Sequence, residues 1–167
     1  VAGGDLGRRG SEPAITIRRA GLELDMALQW GVIPATKKVF PGTIPEGDKQ
    51  VSLFGCRGEV VSFQVMLRSS QRVTLPVQSD DFDLFEALYV PTPRVASWGF
   101  SRPEHTQPCY PDPLLPATKI ELSPNETKAL WARIRLVESK QSYVKISDIT
   151  IPVVLTVYPI EIPITYR

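Results

Sequence analysis

The chain holds one histidine, one asparagine, two cysteines and two methionines in 167 residues. Each scarcity closes off a class of chemistry. A structural zinc site takes about four nitrogen and sulfur ligands, and His105, Cys56 and Cys109 are the whole supply. Charge of one sign is also missing. Nineteen Lys and Arg face 18 Asp and Glu, without a basic stripe to neutralise phosphates, so no nucleic-acid partner is expected. No apolar run reaches the ~20 residues of a membrane-spanning helix, and no charged cluster makes a polybasic anchor. Val1 is not followed by the charged start and apolar core of a signal peptide. A length of 167 excludes a complete (β/α)₈ barrel, which needs roughly 250 residues.

Helical signals are few. Ser123-Pro124-Asn125-Glu126 has the spacing of a capping box with proline at the first helical position, and Asp83 to Leu88 could close one turn. Neither is long enough for a crossover helix, so parallel βαβ units are not expected. Alternation of period two is abundant instead. Leu22, Leu24, Met26, Leu28 and Trp30 form one apolar phase; Val61, Phe63, Val65 and Leu67 form another. Val73 to Val77, Leu130 to Leu136 and Ile149 to Val157 repeat the pattern. Shorter candidates are Ala14 to Arg18, Gln50 to Phe54, Leu88 to Pro91, Lys119 to Leu122 and Tyr143 to Ile146. The expected fold is all-β: an antiparallel sandwich of immunoglobulin or fibronectin type with little helix. Residues 1–13 read as a flexible leader with four glycines, and 14–167 as a single sandwich domain.

Proline is in excess. Sixteen residues are about 10% of the chain, roughly twice the usual share, while 11 glycines are ordinary. Seven prolines lie between Pro91 and Pro116. Proline removes a ladder donor and fixes φ, so this span reads as an ordered crossover rather than a central strand.

Few residues suggest chemistry. Glu104, His105, Cys109 and Asp112 resemble a nucleophile, base and orienter, but they share one short irregular segment, a geometry that sequence-distant triads avoid, so an exposed loop histidine and loop cysteine are expected. No catalytic residue, metal ligand or cofactor is assigned. Asp80, Asp81 and Asp83 could offer oxygens to calcium, yet the rest of a calcium loop is missing and a solvated acidic turn is expected. Cys56 and Cys109 would be bridged in an oxidising compartment and free in a reducing one; both readings stay open. Asn125-Glu126-Thr127 is a glycosylation sequon. Trp30 falls on the apolar phase of its strand and is expected in the core. Trp131 falls opposite Leu130 and Ile134, towards a second layer or a partner. Trp98 and Tyr110 sit in loop sequence, where flat aromatic rings can stack on sugars.

Several segments, in order, resemble one family. VIPATKKVFPGTIP (Val32 to Pro45) is similar to the lead-in of the N-terminal domain of glycoside hydrolase family 123. GEVVSFQVML (Gly58 to Leu67) resembles that domain's glutamate-then-FQVVL strand. YPDPLLP (Tyr110 to Pro116) resembles its PDPL-P linker, LWARI (Leu130 to Ile134) its W-V-x-V strand, and Ile151 to Pro163 its last strand. The likeness covers about Met26 to Pro163. One departure is clear: where the family has a P-G-x-Y turn, Val137 to Tyr143 (VESKQSY) keeps only the tyrosine.

The resemblance implies a non-catalytic accessory sandwich beside a barrel. In that family the barrel carries an Asp-Glu pair for substrate-assisted hydrolysis of N-acetylgalactosaminides. One carboxylate orients the 2-acetamido group and one acid protonates the leaving oxygen. Arg167 falls where the barrel would begin, so no catalytic residue carries over. The expected partner is the barrel or another protein chain, met through an exposed apolar patch. Trp98, Tyr110 and Trp131 are the candidate glycan or partner contacts, and a secreted, periplasmic or cell-surface location is expected. The alternative is a structural or adhesion sandwich within a larger assembly, without sugar affinity.

Overall fold

The computed structural model describes residues 28–91 and 109–161, and these form ten strands in two packed sheets. In chain order they are β1 (Leu28–Pro34), β2 (Val51–Arg57), β3 (Val60–Ser69), β4 (Val73–Gln78) and β5 (Asp83–Pro91). Then follow β6 (Cys109–Pro116), β7 (Lys119–Leu122), β8 (Thr127–Arg135), β9 (Lys140–Ile146) and β10 (Ile149–Glu161). The first sheet runs β1-β3-β8-β5-β6 and the second β2-β10-β9-β4-β7. The expected β-sandwich is what forms, and no helix occurs among the described residues. The leader and the segments Ala14–Arg18 and Leu22–Ala27 lie outside the described residues.

Inward residues follow the alternation read from the sequence. Phe63, Val65 and Leu67 of β3, Leu130, Ala132 and Ile134 of β8, Leu75 and Val77 of β4, and Ile151, Val153 and Leu155 of β10 meet in one core. Burying such apolar area stabilises the fold by roughly 25 cal/mol per Å². Within it Phe63 and Phe82 meet edge to face, centroids 5.6 Å apart.

Four local expectations are corrected. Asp83 to Leu88 is not a helical turn but the first part of β5, because β8 and β6 pair with it on both sides. Ser123 to Glu126 is not a helix start. Asn125 has φ 60°, the left-handed region, and its amide donates to Ser69 O at 2.7 Å. The proline-rich span is not simply a crossover: its described part, 109–116, is edge strand β6, where a lost ladder donor costs little. Its register against β5 slips between Ala87 and Tyr89, and the Asp112–Pro113 peptide is cis. Trp30 is not fully in the core. It lies half-buried at the sandwich margin with the Lys49 Nζ 4.3 Å from its ring centroid.

One pair departs from the antiparallel rule. β2 runs parallel to β10, from Val51 beside Val153 to Cys56 beside Tyr158. No βαβ unit is needed, since most of the chain separates the two strands.

The outer face of the first sheet is covered. Ile33, Val39, Met66, Ala87 and Ala129 form a second small core there, beneath the long β1–β2 connection. Gln64, 3% exposed, fastens the cover. Its Nε2 donates to Lys37 O at 2.7 Å and Ala35 O at 3.0 Å, with a longer contact to Pro34 O at 3.4 Å. Thr127, fully buried, fastens the other end: its amide donates to Pro41 O and its hydroxyl to Thr43 O. Gly31 permits the close approach. A Cβ there would lie 2.8 Å from the Glu46 carbonyl, so the strand continues past Trp30 under the cover only because this residue has no side chain.

Gln64→Ala is expected to destabilise the protein by about 2–3 kcal/mol in urea unfolding, by orphaning buried carbonyls and leaving a small void. Hydrogen exchange should accelerate at Lys37 and Val39 more than in β9 or β10. Uniform acceleration across the sandwich would show that the cover has no separate stability.

Candidate functional site

A polar concavity among the described residues lies between two connections that cross from sheet to sheet. One is the β4–β5 turn, carrying Asp80 and Asp81 with Asp83 at the start of β5; the other is the β8–β9 loop, carrying Val137 and Glu138. The cleft encloses about 350 Å³. Ile134, Val137 and Leu155 supply its apolar part, and Arg133, Arg135 and Lys140 its cations.

Local sequence explains its stiffness. Ser79 Oγ accepts from the amides of Asp81 and Phe82 and donates to Tyr143 O at 2.7 Å, tying the turn to β9. Asp81 then accepts from the Lys140 ammonium on one oxygen and from the Ser142 hydroxyl on the other. Tyr143 Oη donates to Asp80 Oδ2 at 2.9 Å, and Arg133 donates to Asp83 Oδ2 at 2.9 Å. The Arg133 guanidinium also sits 4.9 Å from the Phe85 ring centroid. Arg135 donates to Gly58 O at 2.8 Å.

These contacts set the ionisation. Hydrogen bonds from Lys140 and then Ser142 hold the Asp81 carboxyl below its usual value of 3.8, against a smaller opposing effect of burial. The Lys140 ammonium is held above its usual range by the same bond to Asp81. Tyr143 is raised chiefly by its hydrogen bond to Asp80. The aspartates suggested for calcium therefore pair with cations, a hydroxyl and a phenol. No group of three or more metal-binding side chains occurs among the described residues.

The aromatic candidates do not come together. Trp131 is half-buried on the outer face of the first sheet, in register with Gln64 on one side and Phe85 on the other. It faces away from the second sheet. Tyr110 is half-buried on β6 and meets the Phe40 ring of the cover edge to face at 5.8 Å. Its register partner Val90 stands five residues along β5 from Phe85, roughly 17 Å at strand rise. Trp98, Glu104 and His105 lie outside the described residues. Cys56 on β2 and Cys109 on β6 belong to different sheets, and both are free thiols.

The sequon is part of the fold. Asn125 occupies a left-handed turn, and the Thr127 hydroxyl, which donates to Thr43 O, is fully buried. Nearby, burial pushes the Tyr89 phenol far up, with Glu126 and Cys109 adding to it, and its hydroxyl donates to Thr127 O. Sequence reasoning missed the cleft because its carboxylates and cations are some 50 residues apart and meet only across the two connections.

No family model matches the chain, and no curated protein matches it. Solved structures do. One is a family 123 glycoside hydrolase from Clostridium perfringens, described as hydrolysing glycolipid glycans. The match has a TM-score of 0.64 at 11% identity and covers 81% of this chain. This chain in turn spans 28% of that one. The fold of the sandwich is thus shared with part of a much longer hydrolase.

Two outcomes follow from this geometry. Asp81 has a lowered folded pKa, so its contribution is present above 3.8 and is lost as pH falls through the folded value. In acid titrations followed by circular dichroism, Asp81→Asn should therefore flatten the loss of stability below about pH 4. An acid limb identical to that of the parent would remove Asp81 from that role. Asn125→Gly should leave stability within about 0.5 kcal/mol, whereas Asn125→Val should cost about 1–2 kcal/mol in thermal unfolding, because a β-branched residue resists positive φ.

Proposed function

We propose that this chain is a non-catalytic accessory sandwich of a carbohydrate-active protein, docked on a catalytic barrel through the outer face of its second sheet. One observation carries the reading: a row of apolar side chains left uncovered there. Phe54 of β2 is 68% exposed, and Val154, Tyr158 and Ile160 of β10 are 45%, 50% and 62% exposed. The parallel register sets Phe54 beside Thr156, with Val154 and Tyr158 two residues to either side on the same face. Among the described residues, the first sheet's corresponding outer face is hidden under a cover and the second's is not. An apolar stripe of this kind marks an interaction surface.

The likeness to a hydrolase chain several times longer supports a barrel as the occupant. The residues that meet substrate would belong to the barrel, and the sandwich would fix its position. A structural or adhesion module would use the same stripe against a separate chain.

The test is made in a longer protein that joins this chain to a barrel, with Phe54→Arg and Tyr158→Arg together. Sandwich and barrel should then melt in two calorimetric transitions instead of one, with hydrolysis surviving until the second. The same pair in the 167-residue chain should shift stability by only about 0.5 kcal/mol per site, since both side chains are exposed. Unchanged single melting in the longer protein would remove the stripe from the interface. A separate polypeptide copurifying with the parent and lost from the variant would favour the structural module.

A further inference from the structure

Past the end of the cover, the outer face of the first sheet carries two aromatic rings among cations. We infer that it is a docking surface for a short acidic segment of a partner protein. Register builds the row. On β3, β8, β5 and β6, Gln64 stands beside Trp131, Trp131 beside Phe85, and Phe85 beside Pro116. Side chains in register point to the same side of a sheet, here the side away from the core. Trp131 and Phe85 are half-buried, and Pro116 is exposed. The cover reaches Gln64, whose amide donates to Lys37 O at 2.7 Å. Further along the same phase of β3, Ser62 is half-buried and Val60 is 46% exposed.

Charge around this row is one-sided, although the whole chain balances 19 cations with 18 carboxylates. Lys37 and Lys38 stand exposed on the cover beside Gln64, and neither forms an ion pair among the described residues. Arg133 and Arg135 follow Trp131 on the same face of β8. Arg135 donates to the Gly58 carbonyl, a neutral acceptor that leaves its charge uncompensated. Arg133 alone meets a carboxylate, Asp83 at 2.9 Å, and it does so through one terminal nitrogen. A guanidinium has five donors, so it can take a second carboxylate without losing the first. Four cations thus face one carboxylate, and an acidic partner supplies the missing charge.

The rings favour a protein over other anions. Tryptophan and arginine are the side chains on which interface energy concentrates, and the row offers apolar contact between its cations. A nucleic-acid strand fits less well. The Arg133 guanidinium lies 4.9 Å from the Phe85 ring centroid, so bases would not find a run of open ring faces, and Asp83 stands in the path of phosphates. Size limits the partner further. From β3 to β6 the row crosses three strand spacings, roughly 14 Å, and Trp131 to Arg135 spans roughly 13 Å. That is room for an extended segment of about five residues, far below the ~800 Å² per partner of a folded complex.

This surface shares no residue with the row from Phe54 to Ile160 and belongs to the other sheet, so the two readings fail separately. The test titrates the 167-residue chain with a blocked hexapeptide of alternating glutamate and leucine. Binding is followed at the Trp131 indole N–H resonance, assigned through Trp131→Phe. The same peptide with lysine for glutamate, a thymidylate hexamer and phosphatidylserine vesicles are the comparison probes. The expected result is a saturable shift with the glutamate peptide, of submillimolar affinity, and a weaker response or none with the other three. Lys37→Glu together with Lys38→Glu, both at exposed positions, should cut the affinity at least tenfold with unchanged thermal unfolding. Arg135→Gln should weaken it several-fold. No shift with the glutamate peptide, or an equal response in the Lys37→Glu, Lys38→Glu variant or with the lysine peptide, would overturn the assignment. Tighter binding of the thymidylate or the vesicles would overturn it too, in favour of a nucleic acid or a membrane.

Discussion

Gln64 spends its side-chain amide on the backbone of a distant loop, and much of the architecture depends on that. Its Nε2 donates to the carbonyls of Ala35 and Lys37, so the β1–β2 connection lies flat on the first sheet. Three buried elements meet there: the amide, the carbonyls, and the apolar side chains of Val39, Met66 and Ala129. A buried polar group of this kind is costly unless paired. Thr127 anchors the far end of the same connection through its amide and hydroxyl. The first sheet is therefore buried on both sides along the middle of β3.

That asymmetry organises the surface. With one outer face occupied by the chain's own cover, the broad apolar surface left open among the described residues is on the second sheet, along β2 and β10. The cleft has a different origin. It forms where two cross-sheet connections run side by side, and its charged rim is held by bonds between the β4–β5 turn and β9. The exposed apolar row is a property of a sheet face, while the cleft is a property of loop packing.

Much of the inner architecture was legible from residue order. Alternation placed Phe63, Val65, Leu130, Ile134, Ile151 and Val153 inward, because a strand's period of two sorts side chains strictly between faces. The same reasoning failed at Gln64 and Met66, whose polar phase is buried by a segment some 25 residues earlier. It failed at Asp83 to Leu88, where local sequence permits a turn and pairing on both sides imposes a strand. At Asn125 a capping-box spacing disguised a left-handed turn, since spacing carries no sign of φ. The acidic run at Asp80 was visible, but its partners Lys140 and Ser142 were not, being some 60 residues away.

The sequence by itself determined that this is an all-β protein, which phases point inward, and that proline-rich 109–116 is unfit for a central strand. Those are local facts, settled by alternation and by proline's missing donor. Tertiary structure alone decided which outer face is covered, that β2 runs parallel to β10, and that the aspartates around the β4–β5 turn face cations of β8 and β9. Each of these depends on contacts between segments far apart in the chain, and nothing in either segment alone specifies where the other will lie.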